Sequence, residues 1–114
     1  MDDCLFCKIS QHDIPSDILM ETDDLVAFND INPQAPVHIL IIPKKHITTL
    51  NDLTSEDAGL VGKIILAART LAREKGIADE GYRTVFNCNR NGGQAVYHIH
   101  LHLLGGRAMN WPPG

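Results

Sequence analysis

The chain has 114 residues, 44% of them hydrophobic and 21% charged, with a formal net charge of −4. That length suits one domain, residues 1–114, with one ordinary core, and is too short for two. The mildly acidic balance excludes the basic footprint of a nucleic-acid-polymer binder. The longest aliphatic run, Ile39 to Ile42, is far too short to cross a bilayer.

Met1-Asp2-Asp3 lacks the basic and apolar regions of a signal peptide. Three cysteines in such a chain argue for reduced thiols or metal ligands, not disulfides. These features predict a cytoplasmic protein. Residues 5–9 read as a short helical turn, broken at Ile14-Pro15-Ser16. Ile18 to Glu21 and Leu25 to Asn29 read as two strands joined by a turn at Thr22-Asp23-Asp24. A proline-bounded loop follows, from Asp30 to Pro36. Val37 to Ile42 is β-rich, closes at Pro43, and reads as a buried strand.

The best helix runs from about Ser55 to Lys75. Thr54 suits its N-cap, and Glu56 and Asp57 sit where the macrodipole favours acids. Leu60, Ile64, Ala67, Ala68 and Leu71 form an apolar stripe, and Gly76 is a natural stop. Strands are predicted at about Tyr82 to Cys88 and Tyr97 to Gly105, separated by a turn-rich loop over Asn89 to Gln94. Residues 106–114 form an extended tail ending in Trp-Pro-Pro-Gly. The predicted class is α+β: an antiparallel sheet of about five strands, one long helix and a short N-terminal helix.

The last strand carries the chemistry. His98, His100 and His102 alternate with Ile99, Leu101 and Leu103. On a strand the imidazoles share one face and the aliphatic residues bury the other. Same-face positions on a straight strand are ~6.6 Å apart, so one zinc does not easily collect all three histidines. Spread imidazoles suit an extended substrate better. Neutral imidazole is a competent nucleophile toward phosphorus and a competent acid or base near neutral pH. The Gly92-Gly93 pair nearby lets backbone N–H groups approach an anion closely.

His-Ile-His-Leu-His-Leu-Leu resembles the signature of the histidine triad family. The likeness extends to Phe6-Cys7-Lys8-Ile9, Ala27-Phe28-Asn29-Asp30-Ile31, Pro33-Gln34-Ala35-Pro36, Ile42-Pro43-Lys44-Lys45-His46, Gly92-Gly93-Gln94 with Val96-Tyr97, Gly105-Gly106-Arg107, and Trp111-Pro112-Pro113-Gly114. These blocks look like the Hint branch, nucleoside phosphoramidate hydrolases that typically act on purine substrates such as adenosine 5'-phosphoramidates. The resemblance implies that His100 attacks the α-phosphorus, expels an amine and forms a nucleotidyl-histidine that water cleaves to release AMP. It implies that His102 contacts the phosphate and supports departure of the leaving group, and that His38 orients the nucleophile or relays protons. A backbone carbonyl on Nδ1 of His100 would leave its Nε2 free to attack. By the same resemblance Asp30 binds the ribose hydroxyls, and Leu5, Phe6, Ile9, Phe28 and Ile31 line the base pocket. Asn87, Gly93 and Gln94 surround the ribose and α-phosphate. Family members form homodimers with joined sheets, and Trp111 on the tail of one subunit shapes leaving-group preference at the other's site.

Two features stand apart. The family pattern often has Ser where this chain has Ala95, which predicts slower turnover or altered leaving-group preference. Cys4 and Cys7 form Cys-x-x-Cys, which some family members pair with the histidine of Pro-Lys-x-His and the first triad histidine, here His46 and His98. Such a set would hold a structural zinc with no open position, leaving catalysis independent of any cofactor. The other reading is two reduced cysteines beside an exposed His46, with His98 among the catalytic histidines, and both readings stand. Cys88 reads as a buried thiol. The competing functions are a dinucleoside polyphosphate hydrolase and a non-catalytic nucleotide- or zinc-binding interaction module. A nucleotidyltransferase fits less well, because related transferases carry Gln in place of the third histidine, His102.

Overall fold

The computed structural model describes residues 3–114. The expectation placed on Met1 and Asp2 lies outside them. Helix α1 (Leu5–Ser10) leads into strands β1 (Ile18–Glu21), β2 (Leu25–Asn29) and β3 (Val37–Pro43). Two single 3-10 turns, Leu50–Asp52 and Ser55–Asp57, precede helix α2 (Ala58–Glu74). Strand β4 (Tyr82–Phe86), the short helix α3 (Asn89–Gly92) and strand β5 (Leu101–Gly105) complete the order. The five strands form one antiparallel sheet in the order β1-β2-β3-β5-β4. Residues 106–114 hold neither helix nor strand.

Strand alternation divides the apolar residues between two layers. Leu25, Ala27, Ile39, Ile41, Leu101 and Leu103 meet Ile64, Ala68 and Leu71 of α2 on one face. Val26, Phe28, Leu40 and Ile42 meet Phe6 and Ile9 of α1 on the other. Both faces of the central strands are therefore covered, which explains the unbroken aliphatic run from Ile39 to Ile42. The stripe on α2 reads as its sequence predicts, with Ile64, Ala67, Ala68 and Leu71 buried.

Four features differ from the sequence reading. The long helix begins at Ala58, because residues 55–57 close a 3-10 turn first. Asp57 caps that turn by accepting from the Thr54 backbone N–H (3.0 Å) and pairs with Lys45 (2.8 Å). Lys45, and after it the Thr54 hydrogen bond, hold the Asp57 carboxyl below the usual aspartate range. The turn-rich loop over 89–94 winds into the single turn α3, which ends on Gly93 at φ +79°. Strand β4 stops at Phe86, and Cys88 is half-buried, not buried.

The fourth difference bears on the site. Strand β5 begins at Leu101, so only His102 of the triad lies within it. Its register against β3 pairs Ile41 with Leu101, and two residues further would set Ile99 opposite Pro43. Proline offers no N–H, so the ladder stops there. The Ile99 N–H turns to the Ile47 carbonyl at 2.8 Å. His98 and His100 are freed from the pleat and from its ~6.6 Å spacing. The burial alternation survives: Ile99, Leu101 and Leu103 are all at most 2% exposed.

Candidate active site

His38 on β3 and His102 on β5 lie on the α1 face of the sheet, where Leu40 pairs with His102 and His38 with Leu104. This diagonal relation brings His38 Nε2 to 2.9 Å from His102 Nδ1. Asp30, just beyond β2, places Oδ2 3.3 Å from the same His38 Nε2, and its Oδ1 accepts from the Asn32 N–H at 2.8 Å. The Gln34 backbone N–H donates to His38 Nδ1 at 3.0 Å.

His100 packs edge-on against Phe6, with ring centroids 5.0 Å apart, and stands 4.9 Å from the ring of His102. Its Nδ1–H donates to the His98 carbonyl at 2.8 Å. A carbonyl only accepts, so the His100 proton sits on Nδ1 and the Nε2 lone pair stays free. Burial pushes the pKa of His100 and His38 down. For His102, burial and then the neighbouring His100 and His38 lower it to about 4. Three imidazoles thus stand neutral at pH 7. Neutrality is what a nucleophilic imidazole needs.

His98 is fully buried and points elsewhere. Its Nε2–H donates to the Pro43 carbonyl at 2.7 Å, which leaves Nδ1 bare. That nitrogen lies 3.2 Å from Cys4 Sγ and 3.5 Å from Cys7 Sγ. His46 Nδ1 lies 3.3 Å from Cys7 Sγ, and Thr48 Oγ1 meets its Nε2 at 3.3 Å. The four donor atoms lie within 4.8 Å of one another. A tetrahedral zinc with ordinary bonds sets its sulfur and nitrogen ligands about 3.5–3.8 Å apart, so this set fits the ion. The second-sphere carbonyl on His98 is the usual partner of a ligating imidazole. Burial and the adjacent Cys4 push the Cys7 thiol up to about 11, a penalty that a bound cation would reverse. His46 is half-buried and faces this cluster.

The remaining candidates are spread around these two clusters. Phe6, Ile9 and Phe28 are buried, with Phe6 and Phe28 edge to face at 5.5 Å. Leu5 is 44% exposed, and Ile31 and Trp111 stand out at 98% and 83%. Asn87 is half-buried beyond β4, and Gly93 and Ala95 are exposed. Leu5 and Ala95 share a cleft of about 570 Å³ with Cys4, His46, Thr48 and Tyr97. Gln94 is buried, and its side chain is committed within the protein. Its amide donates to the Thr48 and Val96 carbonyls (2.8 and 3.1 Å), and its Oε1 accepts from the Asn89 N–H (2.9 Å). The structure adds three contributors that sequence reasoning missed: the Gln34 amide, the Pro43 carbonyl and Thr48. Two are backbone groups with no residue signature. Their only trace was the proline spacing around Gln34 and before His46.

Known proteins share the fold and about half of the sequence. The family model described as scavenger mRNA decapping enzyme C-term binding matches residues 3–111. The chain is 51% identical over 108 residues to the purine nucleoside phosphoramidase of Escherichia coli strain K12, covering 95% of this chain and 91% of that protein. It is 50% identical over 113 residues to an uncharacterized HIT-like protein of Synechococcus elongatus, covering 99% and 98%. The crystal structure of a HIT family hydrolase from Legionella pneumophila superposes with a TM-score of 0.97 at 57% identity, covering 98% of this chain and all of that one.

Proposed function

The chain belongs to the histidine triad family and is a hydrolase, and from that premise we propose that it cleaves the P–N bond of purine nucleoside 5'-phosphoramidates, adenosine among them. One observation carries the mechanism: the His98 carbonyl holds the Nδ1–H of His100, so the only lone pair His100 can present is on Nε2. In the first step that lone pair bonds to the α-phosphorus as the P–N bond breaks. The amine departs with one proton taken from water. In the second step water attacks phosphorus, the bond to His100 breaks, AMP forms and one proton returns to solvent. The net reaction consumes one water and no cofactor. His102 faces the phosphoryl group, and His38 supports His102. Asp30 receives the vicinal ribose hydroxyls, as an ionised carboxylate suits. Phe6, Ile9 and Phe28 back the base, with Leu5 and Ile31 at its rim, and Asn87, Gly93 and Gln94 border the ribose and phosphate.

Ala95 offers no hydroxyl where the family pattern often has Ser. Ala95→Ser is expected to speed release of poorly departing amines by a few-fold, about the worth of one hydrogen bond. Turnover of a series of adenosine phosphoramidates measures this, and equal ratios across all leaving groups would sink the idea.

We further propose a homodimer. Strand β4 is an open edge of the sheet, and Tyr82 at its start is 38% exposed. Edge pairing of two copies removes an aggregation hazard. It would also carry the exposed Trp111 of each tail toward the partner's site. Light scattering should give twice the 12.6 kDa chain mass; a monomer at micromolar concentration would refute it. The three free thiols suit a reducing cytoplasm. Among the described residues, no helix is long and apolar enough to cross a membrane.

A further inference from the structure

The two histidines that face each other at the centre of the site are locked in opposite tautomers, and both locks are backbone groups. His100 is fixed by a carbonyl, as above. The second lock is longer. The Gln34 N–H donates to His38 Nδ1 (3.0 Å), and an amide nitrogen only donates, so His38 Nδ1 is unprotonated. The His38 proton must then sit on Nε2. That atom lies 2.9 Å from His102 Nδ1, which must accept. His102 therefore carries its own proton on Nε2. Among the described residues, neither His100 Nε2 nor His102 Nε2 has a hydrogen-bond partner, and no buried side-chain nitrogen or oxygen is left unpaired, so both atoms reach open space.

We propose that the Gln34 amide makes His102 an uncharged hydrogen-bond donor to the phosphoryl oxygens, beside a His100 that presents a lone pair, and that Arg107 is the positioning residue that holds this relay in place. The assignment rests on the phosphoryl-transfer reading above and adds to it the tautomer of each ring and the residue that holds it. An N–H aimed at developing phosphoryl charge stabilises it without prior protonation. A neutral imidazole is too weak an acid to surrender that proton outright, so His102 donates without transferring.

Arg107 supplies the anchorage. Its Nε donates to the Gln34 carbonyl at 3.1 Å and its Nη1 to the Ala108 carbonyl at 3.0 Å. Beside it, a Cβ on Gly106 would come within 2.9 Å of Pro36 Cβ, and Gly106 sits at φ +88°. The loop that carries Gln34 is thus gripped by the segment leaving β5, the strand that carries His102. Three titratable groups face His102: His38 from β3, His100 from the segment before β5, and Asp30 from the end of β2. Protonating His38 would set an Nδ1–H against the Gln34 N–H, donor against donor. The relay therefore resists acid and has no group to lose on the alkaline side near neutrality.

Two-bond ¹H–¹⁵N correlation spectra of the whole protein at pH 7 test the tautomers directly. The expected pattern is Nδ1–H for His100 and Nε2–H for both His38 and His102; Nδ1–H on His102 overturns the proposal. With adenosine 5'-phosphoramidate as substrate, kcat should stay level from neutral pH to about 8.5, where an imidazolium acid would have lost its proton. A falling limb centred near pH 7 overturns the neutral donor. Arg107→Ala should lower kcat about tenfold with KM unchanged, a fraction of what acid–base or donor groups supply, and should mix the His38 and His102 ring signals. Arg107→Lys, which keeps the charge but loses the Nε bond, should behave alike. An unchanged ring pattern, or a loss in KM alone, removes Arg107 from the relay. A protein that turns over no phosphoramidate defeats the proposed function, while the ring spectra still decide the tautomers on their own.

Discussion

Replacing His100 with alanine should abolish AMP release from an adenosine phosphoramidate, by about 10³-fold or more, while the protein stays folded. The size of the loss follows from covalency. Without Nε2 the reaction must proceed by direct attack of water, and neither His102 nor His38 offers a lone pair in its place. His102 Nδ1 is taken up by His38, and His38 Nδ1 by the Gln34 amide. The ring is buried against Phe6, so His100→Ala leaves a small void, and a melting curve separates folding from chemistry. His100→Gly should lose activity to the same degree. In the wild type, quenching during turnover should trap one nucleotidyl group, and peptide mapping should put it on His100. Unchanged AMP release by His100→Ala, or an adduct on another residue, would refute the covalent route.

We propose that the Cys4, Cys7, His46 and His98 donors, whose geometry fits the ion, hold a structural zinc, and its removal should unfold the protein at a much lower temperature. A metal present at a thousandfold above its Kd adds about 4 kcal/mol. For a chain of this size that is on the order of 15 °C in Tm. Protein purified without a histidine tag should carry near-stoichiometric zinc, and Cys7→Ser should lose it together with the thermal stability. Turnover per folded molecule should fall far less than in His100→Ala, because four protein ligands leave no open position for a water. Less than roughly a tenth of an equivalent of zinc would dismiss the site. The four residues would then be explained by their direct S···N contacts alone.

The sequence made plain what repeats at short range. The alternation of Ile99, Leu101 and Leu103, the stripe from Ile64 to Leu71 and the proline-bounded loop before Val37 each encode their local structure without help from the rest of the chain. Strand pairing and the α+β class follow from them. The start of β5 was hidden because it depends on Pro43, a residue of another strand whose missing N–H matters only once the two lie side by side. The 3-10 turn at Ser55 was hidden because a capping acid at Asp57 serves either kind of helix start. Within the site, residue types were legible from the spacing, and their division only through the family resemblance. By spacing alone the three alternating histidines are equivalent; the family resemblance divides them, and tertiary contacts turn His98 toward the cysteines and leave His100 and His102 facing open space. The commitment of the Gln94 side chain to Thr48, Val96 and Asn89 is likewise a matter of folding, since a glutamine beside glycines carries no mark of which carbonyls it will find.

The strict alternation through β5 also acts as a proofreader of sheet assembly. If β5 slid by one residue against β3, Leu101 and Leu103 would turn into the site and His102 would be driven under α2 among Ile39, Ile41 and Leu71, which are fully buried. Stranding an unpartnered imidazole there costs a few kcal/mol, and the displaced aliphatic side chains would lose their burial as well. A misaligned chain would therefore be inactive and also much less stable. The histidines proposed to perform the chemistry thereby help ensure that only correctly aligned molecules persist.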